Sequence, residues 1–568
     1  MKKIFLMLIM SVVLFSSCED FLTVTPQDSL VADNYYTSET ALRANTASLY
    51  GKVWWDFHCQ FMWLGGDELA GDLYYTYDQE GHYYYNKVGA GNSHSNTGWT
   101  GLYRVVSFAN SIINDMPLPA SNNGVSEDAI NRAIAEARFM RATAYLFLTE
   151  YWGEVPIIEN STELITSGDP TAIYVNKNLQ SNLYRFMCED LEFAVEHLPE
   201  TSEQPGRVTK WSAKGMLAKV YLTRAAYEKS GEYYTNAKTL AADVIENSGL
   251  ALWSDYSTMF DVGANNSSES LFAIQCMKGE YGDGSSRNVN FSRGARIADQ
   301  TWGAGKGPTI SLQKLYTQGD SRRKWVYMTN GDYYQNLDKL NGGYTYKYSY
   351  RDPDNIDTQV ESPNEMLSHI KKYVIGKATD CDGQVGLNQD AGNNIYVLRL
   401  SDVYMIYAEA CMGTGNSTTD ANALRYVNMI RHRANLADLV GTLTFETLIQ
   451  ERRKEFAFEG INWLDVKRFF YRDPEGAYAY LNGMKRDQIY KLNYETGYNN
   501  MTTAEKYIFE NDKNNYVLSW QTLSNVDDNN SRVDNILFDR ASMYIPIPAA
   551  VTTKAPILNE PAVDYYAK

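Results

Sequence analysis

Three glutamates spaced four residues apart are the part of this chain that most resembles an acid–base site. Glu451, Glu455 and Glu459 stand in ERRKEFAFEG, where a helix would place all three on one face. General acid–base catalysis needs two carboxyl groups that face a shared substrate in a cleft. Here basic residues alternate with the glutamates and aromatic residues flank them. The pattern therefore predicts ion pairs between helices, and we expect no catalytic residue in this block.

Other signatures of catalysis are missing from the sequence. It contains no GxSxG nucleophile elbow, no P-loop and no dinucleotide-binding glycine pattern. The six histidines show no HExxH or HxH spacing, and His58 beside Cys59 reads as a structural pair rather than a zinc site. The sequence thus implies neither a metal site nor a cofactor.

Tyrosine accounts for 44 of the 568 residues, and one run concentrates it. The segment 72–87 reads DLYYTYDQEGHYYYNK, with six tyrosines and hardly any aliphatic side chain. A tyrosine ring covers the apolar C–H face of a sugar, and its hydroxyl group can hydrogen-bond to sugar hydroxyls. The run does not alternate with a period of two, so rings would lie on both sides of a strand. We therefore expect a mixed role, with some tyrosines in the core and others in a binding surface.

Helical hairpins supply the frame that would position such a surface. Residues 209–231 begin with Thr209 as an N-cap and are apolar at helical spacing, and residues 232–249 follow at once. Residues 400–415 and 418–435 form a second predicted hairpin, and the hairpins have the length of TPR units. Single helices are predicted at 39–54, 100–116 and 126–152, the last of them apolar on nearly all sides.

The sequence between these helices is irregular. Residues 55–99 and 261–395 are rich in Gly, Asn, Asp, Ser and Tyr, and residues 471–568 are similar until the turn at 546–548. Long loops in a compact protein usually carry function. We therefore predict a mainly α fold in which the helices form the frame and the loops form the ligand face.

The first residues indicate export to a membrane surface. MKKIFLMLIMSVVLFSSC has a charged start, an apolar run too short to span a bilayer, and two serines before Cys18. This pattern resembles a bacterial lipobox, whose cysteine is acylated and becomes the mature N-terminus. Residues 1–17 are thus predicted to be a signal peptide, Cys18 the lipid attachment site and residues 18–36 a tether.

The net charge argues against two kinds of binding partner, and the cysteine content argues against a disulfide-stabilised fold. Without Lys2 and Lys3, the remaining chain has 50 basic and 69 acidic residues, a net charge of 50 − 69 = −19. Such a chain is not expected to bind nucleic acid or an anionic lipid surface. Besides Cys18 there are five cysteines, without a CxxC pair, so disulfides are not expected to stabilise the fold.

Six blocks of the sequence resemble the SusD/RagB lipoproteins of Bacteroidetes, in the family's order. They are CEDFL from Cys18, AEARFMRATAYLFLTEYWGEVPII (135–158), RVTKWSAKGMLAKVYLTRAA (207–226), YVLRLSDVYMIYAEA (396–410), LIQERRKEFAFEGINWLDVKRF (448–469) and YIPIPAAVTTKAPILNEP (544–561). The resemblance implies one SusD-like domain over 37–568. Its TPR-like frame would lie mainly at 37–260 and 396–470, its loop-rich ligand-face insertion at 261–395, and its C-terminal segment at 471–568.

The resemblance also implies a function. Members of the family are cell-surface partners of a SusC-like, TonB-dependent outer-membrane barrel, to which they pass a captured oligosaccharide or polysaccharide. They are not enzymes. Some members capture peptides, so an oligopeptide-capturing lid of a RagAB-like importer is the alternative. The many tyrosines favour a glycan, and the expected location is the outer membrane, with the protein anchored to the cell surface by its lipid.

In the family, ligand contacts come from the loop before the helix that contains LYRVVSFAN and from the long insertion after the TPR hairpin. These regions correspond to residues 66–99 and 277–350. The candidate ligand-binding residues are Asp72, Tyr74, Tyr75, Tyr77, Asn92 and His94 in the first region, and Tyr281, Trp302, Tyr333 and Tyr334 in the second. Trp302 stands out because glycines follow it in QTWGAGKGP. The tryptophans of the helix blocks, Trp99, Trp152, Trp211 and Trp463, are predicted to lie in the core.

Overall fold

The computed structural model describes residues 35–166, 168, 174–338, 342–347, 350–351, 359–361, 366–386, 389–486, 502–505 and 536–567. The predicted signal peptide, Cys18 and the tether up to residue 34 lie outside the described residues. None of the helices in the described ranges is long and apolar enough to cross a membrane. The cysteines at 59, 188, 276, 381 and 411 are all free thiols.

Long helices form the frame. In chain order they are α1 (Glu39–Ala47), α2 (Ser93–Asp115), α3 (Glu127–Trp152), α4 (Gln180–His197), α5 (Lys210–Glu228), α6 (Gly231–Asn247), α7 (Leu400–Ala410), α8 (Ala421–Arg433), α9 (Phe445–Phe456), α10 (Asn462–Arg472) and α11 (Pro474–Gly483). From α2 to α8, each helix packs against the next one along the chain. Successive packing of this kind is typical of helical repeats. The predicted mainly α frame of TPR-like hairpins is confirmed.

Short helices lie between the long ones, including in segments that were predicted to be irregular. Their bounds are Lys52–Trp54, Trp55–His58, Phe61–Trp63, Leu64–Glu68, Gly81–Tyr84, Pro117–Asn122, Ser161–Thr166, Val262–Ala264, Arg287–Phe291, Ile310–Gln313, Arg323–Val326, Ala541–Met543, Ala549–Thr552 and Pro556–Asn559. Each is shorter than two turns, so it leaves no repeating apolar pattern in the sequence.

Strands contribute only two-stranded antiparallel ladders in the described residues. The strands are β1 (Leu73–Tyr74), β2 (Ser270–Ile274), β3 (Gly307–Pro308), β4 (Tyr327–Met328), β5 (Tyr333–Tyr334), β6 (Tyr344–Thr345), β7 (Tyr350–Arg351), β8 (Gln359–Glu361), β9 (His369–Ile370), β10 (Ile395–Arg399), β11 (Ser417–Thr418) and β12 (Leu443–Thr444). They pair as β1–β3, β2–β10, β4–β9, β5–β6, β7–β8 and β11–β12. The ladders β1–β3 and β2–β10 join segments that are distant in sequence, whereas β5–β6 and β7–β8 are local hairpins.

Local signals explain where several helices begin and end. Thr209 caps α5, as predicted, and Ser212 completes a capping box because its Oγ atom accepts a hydrogen bond from the Thr209 backbone N–H. Helix α2 begins earlier than predicted, because Asn92 caps it and the polar turn that follows shows no apolar periodicity. The helix predicted at 39–54 ends at Ala47, since Gly51 adopts a non-helical conformation before the next short helix.

Buried ion pairs join α9 to its neighbours, which confirms the interpretation of the ERRKEFAFEG block. Arg399, at the end of β10, contacts Glu455 and Glu459 at 2.7 Å each. Arg433 of α8 contacts Glu455 as well. Burial opposes ionisation of Glu455, but Arg433, Arg399 and Arg322 together hold its pKa well below the ordinary value. These carboxylates stabilise the frame by pairing with cations.

Candidate functional site

A two-stranded ladder brings together the two regions that were predicted to contact ligand. Leu73 pairs with Pro308, and Tyr74 pairs with Gly307. Because the strands are antiparallel, the chain leaving β1 toward Tyr75 lies beside the loop that enters β3. A Cβ atom at Gly305 would lie 3.1 Å from Cε2 of Tyr75, so glycine permits this close approach of loop and ring.

Lys306 connects the aromatic residues on the two sides of this contact. Its Nζ donates a hydrogen bond to the carbonyl oxygen of Trp302 at 3.0 Å. The same Nζ lies 4.3 Å from the centre of the Tyr75 ring and 5.3 Å from the centre of the Trp63 ring. A cation at these distances is attracted to the ring faces. The buried ammonium group therefore fixes the Trp302 loop against the β1 segment.

Two acidic residues near this buried cation influence its ionisation. Burial lowers the pKa of Lys306 to about 8, although Glu80 and Glu68 favour its charged form. Glu80 also lies 3.6 Å from Nε2 of His94. Burial raises the pKa of Glu80, but contact with His94, a backbone hydrogen bond and the charge of Lys306 together leave the pKa below its ordinary value. His94 therefore lies next to the site as a partner of Glu80.

Three aromatic side chains at this contact are available to a ligand, and they are called the aromatic cluster below: Tyr75, Tyr77 and Trp302. Tyr77 is 70% exposed and Trp302 is 49% exposed, while Tyr75 is half-buried. The centres of the Tyr75 and Tyr77 rings lie 6.4 Å apart, with 34° between the ring planes. Such rings can stack on the apolar face of a sugar while their hydroxyl and indole N–H groups hydrogen-bond to it.

Two further predicted contacts are exposed, but their partners lie elsewhere. Tyr281 is 58% exposed, and its ring centre lies 4.8 Å from that of Trp55, edge to face. Tyr333 is 45% exposed, and its hydroxyl group donates a hydrogen bond to the carbonyl oxygen of Gly342. Both stay predictions, because no described contact joins them to the aromatic cluster.

Asp72 and Asn92 are buried in the frame, which corrects the prediction that they contact ligand. The Oδ1 atom of Asp72 accepts a hydrogen bond from Nε of Arg453 at 2.8 Å, and its Oδ2 atom accepts one from Asn462. Asn92 caps α2, where its Oδ1 atom accepts a hydrogen bond from the Ser95 N–H at 3.0 Å. The acceptor atoms of both side chains already receive hydrogen bonds from protein donors. These polar groups therefore stabilise the frame.

Tyr74 and Tyr334 are also buried, and the prediction is wrong for them for a different reason. Each lies in a ladder strand, β1 or β5, and only 3% and 2% of their surfaces are exposed. The ring of Tyr74 meets that of Tyr84 at 5.1 Å, edge to face. The hydroxyl group of Tyr334 donates to the carbonyl oxygen of Lys324 at 2.7 Å. Pairing in a strand turned these two rings inward and left Tyr333 outside.

The tyrosine run has the mixed role that its pattern predicted. Tyr74, Tyr83 and Tyr84 are buried, Tyr75 and Tyr85 are half-buried, and Tyr77 is exposed. Among the tryptophans predicted to be core, Trp99, Trp152 and Trp463 are buried, while Trp211 is half-buried. The core prediction is therefore confirmed for three of the four tryptophans, whereas the sequence did not identify which tyrosines are buried.

Sequence reasoning missed Lys306 and Glu80. The segment GAGKGP follows Trp302 directly, and Lys306 is its one cation. A lysine isolated among glycines was a signal that the backbone there approaches another group closely. Glu80 carried no comparable signal, because its role depends on tertiary contact with His94. Within the described residues, no group of three or more His, Cys, Asp or Glu side chains could hold a metal ion.

Comparison with known proteins agrees with this architecture. The sequence profile described as "SusD family" matches residues 268–565, and one described as "Starch-binding associating with outer membrane" matches residues 67–222. A SusD-like protein of Bacteroides ovatus is 32% identical over 588 aligned residues, covering 100% of this chain and 98% of that protein. The starch-binding protein SusD of Bacteroides thetaiotaomicron is 24% identical over 61% of this chain and 66% of its own length.

Solved structures show the same arrangement. A crystal structure described as being with xylogluco-oligosaccharide has 30% sequence identity and a TM-score of 0.79, and covers 93% of this chain and 100% of that chain. A SusD-like protein of Bacteroides fragilis, with 19% identity and a TM-score of 0.69 over 94% of this chain and 99% of that chain, shares the fold. With a family profile over more than half of its length and a relative above 30% identity along all of it, the chain belongs to the SusD family.

Proposed function

We propose that this protein captures an oligosaccharide or polysaccharide at the cell surface and delivers it to a SusC-like, TonB-dependent transporter for uptake. The observation that carries the binding step is the aromatic cluster, which comes from two separate segments that one buried cation connects through the Tyr75 ring and the Trp302 carbonyl oxygen. Trp302 and Tyr77 leave large apolar faces in water, where a sugar face would cover them. The similarity to a protein crystallised with a xylogluco-oligosaccharide supports a plant-type glucan as the first ligand to test.

Binding without chemistry is the activity that this site supports. The cluster offers ring faces, hydroxyl groups and an indole N–H, and its ionisable neighbours Lys306 and Glu80 are engaged with protein groups. Stacking of one ring is worth about 1 kcal/mol, by analogy with aromatic pairs. Two or three rings give a weak site, and repeated sugar units on a long chain would strengthen retention by multivalency.

The test is a ligand panel on the purified chain without residues 1–17. We expect neutral polysaccharides to retard the protein in affinity gels, a peptide digest to leave it unbound, and no reducing ends to form on prolonged incubation. Binding of peptides alone would favour the oligopeptide alternative. Release of reducing ends by the pure protein would contradict the proposed binding function.

The delivery step rests on anchoring and on a partner. Cys18 is the proposed lipid attachment site, and the profile match to a family described as associating with the outer membrane supports that location. Cys18→Ala should release the protein from outer membranes, and unmodified Cys18 in membrane-bound protein would contradict the proposal. A stable lid on a barrel should bury well over about 1,000 Å². Purification in mild detergent should therefore recover a large barrel protein with it.

A further inference from the structure

A second concave site lies apart from the aromatic cluster. It is a cavity of about 600 Å³ whose lining comes from residues 257–263, 325–337 and 371–384. None of the three residues of the aromatic cluster lines it. Its volume is within the range of about 300–1,000 Å³ that is usual for small-molecule sites.

A carboxylate and an ammonium group line this cavity without meeting each other. Asp261 and Lys371 form no ion pair within 4.0 Å, and no donor among the described residues hydrogen-bonds to the Asp261 carboxylate. Burial raises the pKa of Asp261, although Lys371 opposes this. Nζ of Lys371 donates to the carbonyl oxygen of Val374 at 2.7 Å, which uses one of its three N–H groups. The cavity thus offers an acceptor and a donor to a ligand that has both.

Trp325 gives the cavity an aromatic wall. The side chain is half-buried, and its ring centre lies 5.7 Å from that of Tyr334, with 77° between the planes. The amide side chains of Gln335, Asn336 and Gln384 are exposed at the rim. An aromatic face beside amide and carboxylate groups suits a ring that has an apolar face and a hydroxylated edge.

The charges of the lining select against anions. Asp261, Asp380 and Asp382 line the cavity, against the single cation Lys371. Asp380 is already engaged, since it accepts hydrogen bonds from the backbone N–H groups of Asp338 and Lys377 at 3.2 Å. An acidic sugar or a phosphate would therefore meet a net negative surface.

We propose that this cavity is a second ligand site, for a neutral sugar unit of one or two rings, such as the end or a side branch of a bound glycan. The proposal rests on the proposed function in one respect, the carbohydrate class of the ligand. In this arrangement Trp325 covers one face of the sugar ring, Asp261 accepts from its hydroxyl groups, and Lys371 donates to them. A long glycan held at the aromatic cluster and a short unit held in the cavity would be recognised separately.

Gly263 allows the cavity to be blocked without disturbing the frame. It lines the cavity, its φ is not positive, and a Cβ atom added there would meet no atom within 4 Å. Gly263→Trp should therefore fill the opening and leave the fold intact. Gly231→Trp is the matched control, because Gly231 starts α6, away from the cavity, and also has open space around an added Cβ atom.

The measurement is saturation-transfer NMR with titration of glucose, xylose and cellobiose, with glucosamine and glucuronate as charged probes. We expect the neutral sugars to bind the wild type and Gly231→Trp alike, and Gly263→Trp at least tenfold more weakly. Equal binding to Gly263→Trp, no binding to the wild type, or a tenfold preference for glucosamine would each overturn the proposal. The two proposals are tested separately. If polysaccharide retention is lost in Trp302→Ala but not in Gly263→Trp, the proposed function is supported whatever the cavity does. The sugar titrations alone test whether the cavity binds a sugar.

Discussion

Nζ of Lys306 lies 4.3 Å from the centre of the Tyr75 ring, and it also donates a hydrogen bond to the carbonyl oxygen of Trp302. One buried ammonium group thereby holds the two segments that carry the aromatic cluster. Its charge matters to both contacts, since a neutral amine loses the attraction to the ring and makes a weaker hydrogen bond. The affinity of the site for glycan should therefore depend on the ionisation of Lys306.

The first prediction is a loss of affinity at alkaline pH. Because the pKa of Lys306 is about 8, glycan affinity should fall severalfold between pH 7 and pH 9.5 in the wild type. Lys306→Met keeps a stem of similar length without the charge, so its affinity should be lower at pH 7 and nearly independent of pH. Calorimetric titrations of both proteins at the two pH values measure this. The same alkaline loss in wild type and variant would contradict the role of Lys306.

Over the same pH range, the contribution of Lys306 to the free energy of unfolding should rise while glycan affinity falls. A loss of affinity at alkaline pH is therefore not explained by unfolding through this group. The ordinary lysine pKa of 10.5 falls to about 8 in the folded chain, so between these values the unfolded state binds more protons. The free energy of unfolding therefore rises with pH through this group. Lys372, whose pKa burial also lowers to about 8, acts in the same direction. Urea unfolding at pH 7 and pH 9 should show no alkaline loss from these two lysines.

The second prediction concerns Arg399, which is buried and contacts Glu269, Glu455 and Glu459. Removing one partner of a buried ion network leaves uncompensated charges and costs about 3–5 kcal/mol. Arg399→Met should therefore lower the free energy of unfolding by about that amount. Arg185→Met removes an exposed pair with Glu189 and a contact of the guanidinium with the Tyr566 ring, both at the surface, so it should cost much less than Arg399→Met. Equal effects of the two variants in urea denaturation would contradict the importance of the buried network.

The third prediction is a loss of stability in acid. Despite their burial, arginine and lysine partners hold the pKa of Glu455 and of Asp402 well below the ordinary values. Their contribution is fully present above about pH 5 and is lost as the pH falls toward the folded-state pKa. Burial raises the pKa of Asp67 and Glu68 instead. Their ordinary pKa values are 3.8 and 4.5, so they are fully protonated in both states only below about pH 3, and between pH 4 and pH 3 they oppose the acid loss slightly.

The free energy of unfolding should accordingly fall steeply between about pH 4 and pH 3. Denaturant titrations at half-unit pH intervals would measure the slope. A flat profile across that interval would mean that the carboxylates with lowered pKa values, Glu455 and Asp402, do not govern stability in acid. Because the pKa values of Asp67 and Glu68 are raised in the folded chain, their contribution to stability decreases as the pH rises. A lower free energy of unfolding at pH 7 than at pH 5 would therefore agree with this account.

The helical frame was predictable from the sequence, and the function of single polar residues was not. The signals for helix α5 are local, since they consist of the N-cap Thr209 and of the apolar residues in the helix that follows it. Asp72 looked like a polar loop residue, but its partner Arg453 lies 381 positions away. The exposure of Trp302 was predicted from its local glycine-rich context, whereas the contact of Lys306 with the Tyr75 ring depends on the pairing of β1 with β3.

The tyrosines show the same limit in finer detail. The sequence predicted that the run at 72–87 divides between core and surface, yet it could not tell which ring goes where. Tyr74 and Tyr75 are adjacent, and strand geometry places one against Tyr84 in the core and the other beside Lys306. A double Tyr74→Ala and Tyr75→Ala variant would therefore mix a core cavity with a loss of binding. The informative substitutions are those at Tyr77 and Trp302.

The central claim is that the exposed rings of the aromatic cluster bind glycan, and the most direct measurement is calorimetric titration of a xylogluco-oligosaccharide beside a thermal melt. Phe108→Ala is the matched control, because Phe108 is an aromatic residue of α2 that is 46% exposed. Loss of about 1.4 kcal/mol of binding free energy is a tenfold loss of affinity. At about 1 kcal/mol per stacked ring, we predict a loss of roughly fivefold for Trp302→Ala and for Tyr77→Ala, with the melting temperature unchanged and with Phe108→Ala like the wild type. Unchanged affinity in both cluster variants would contradict the account.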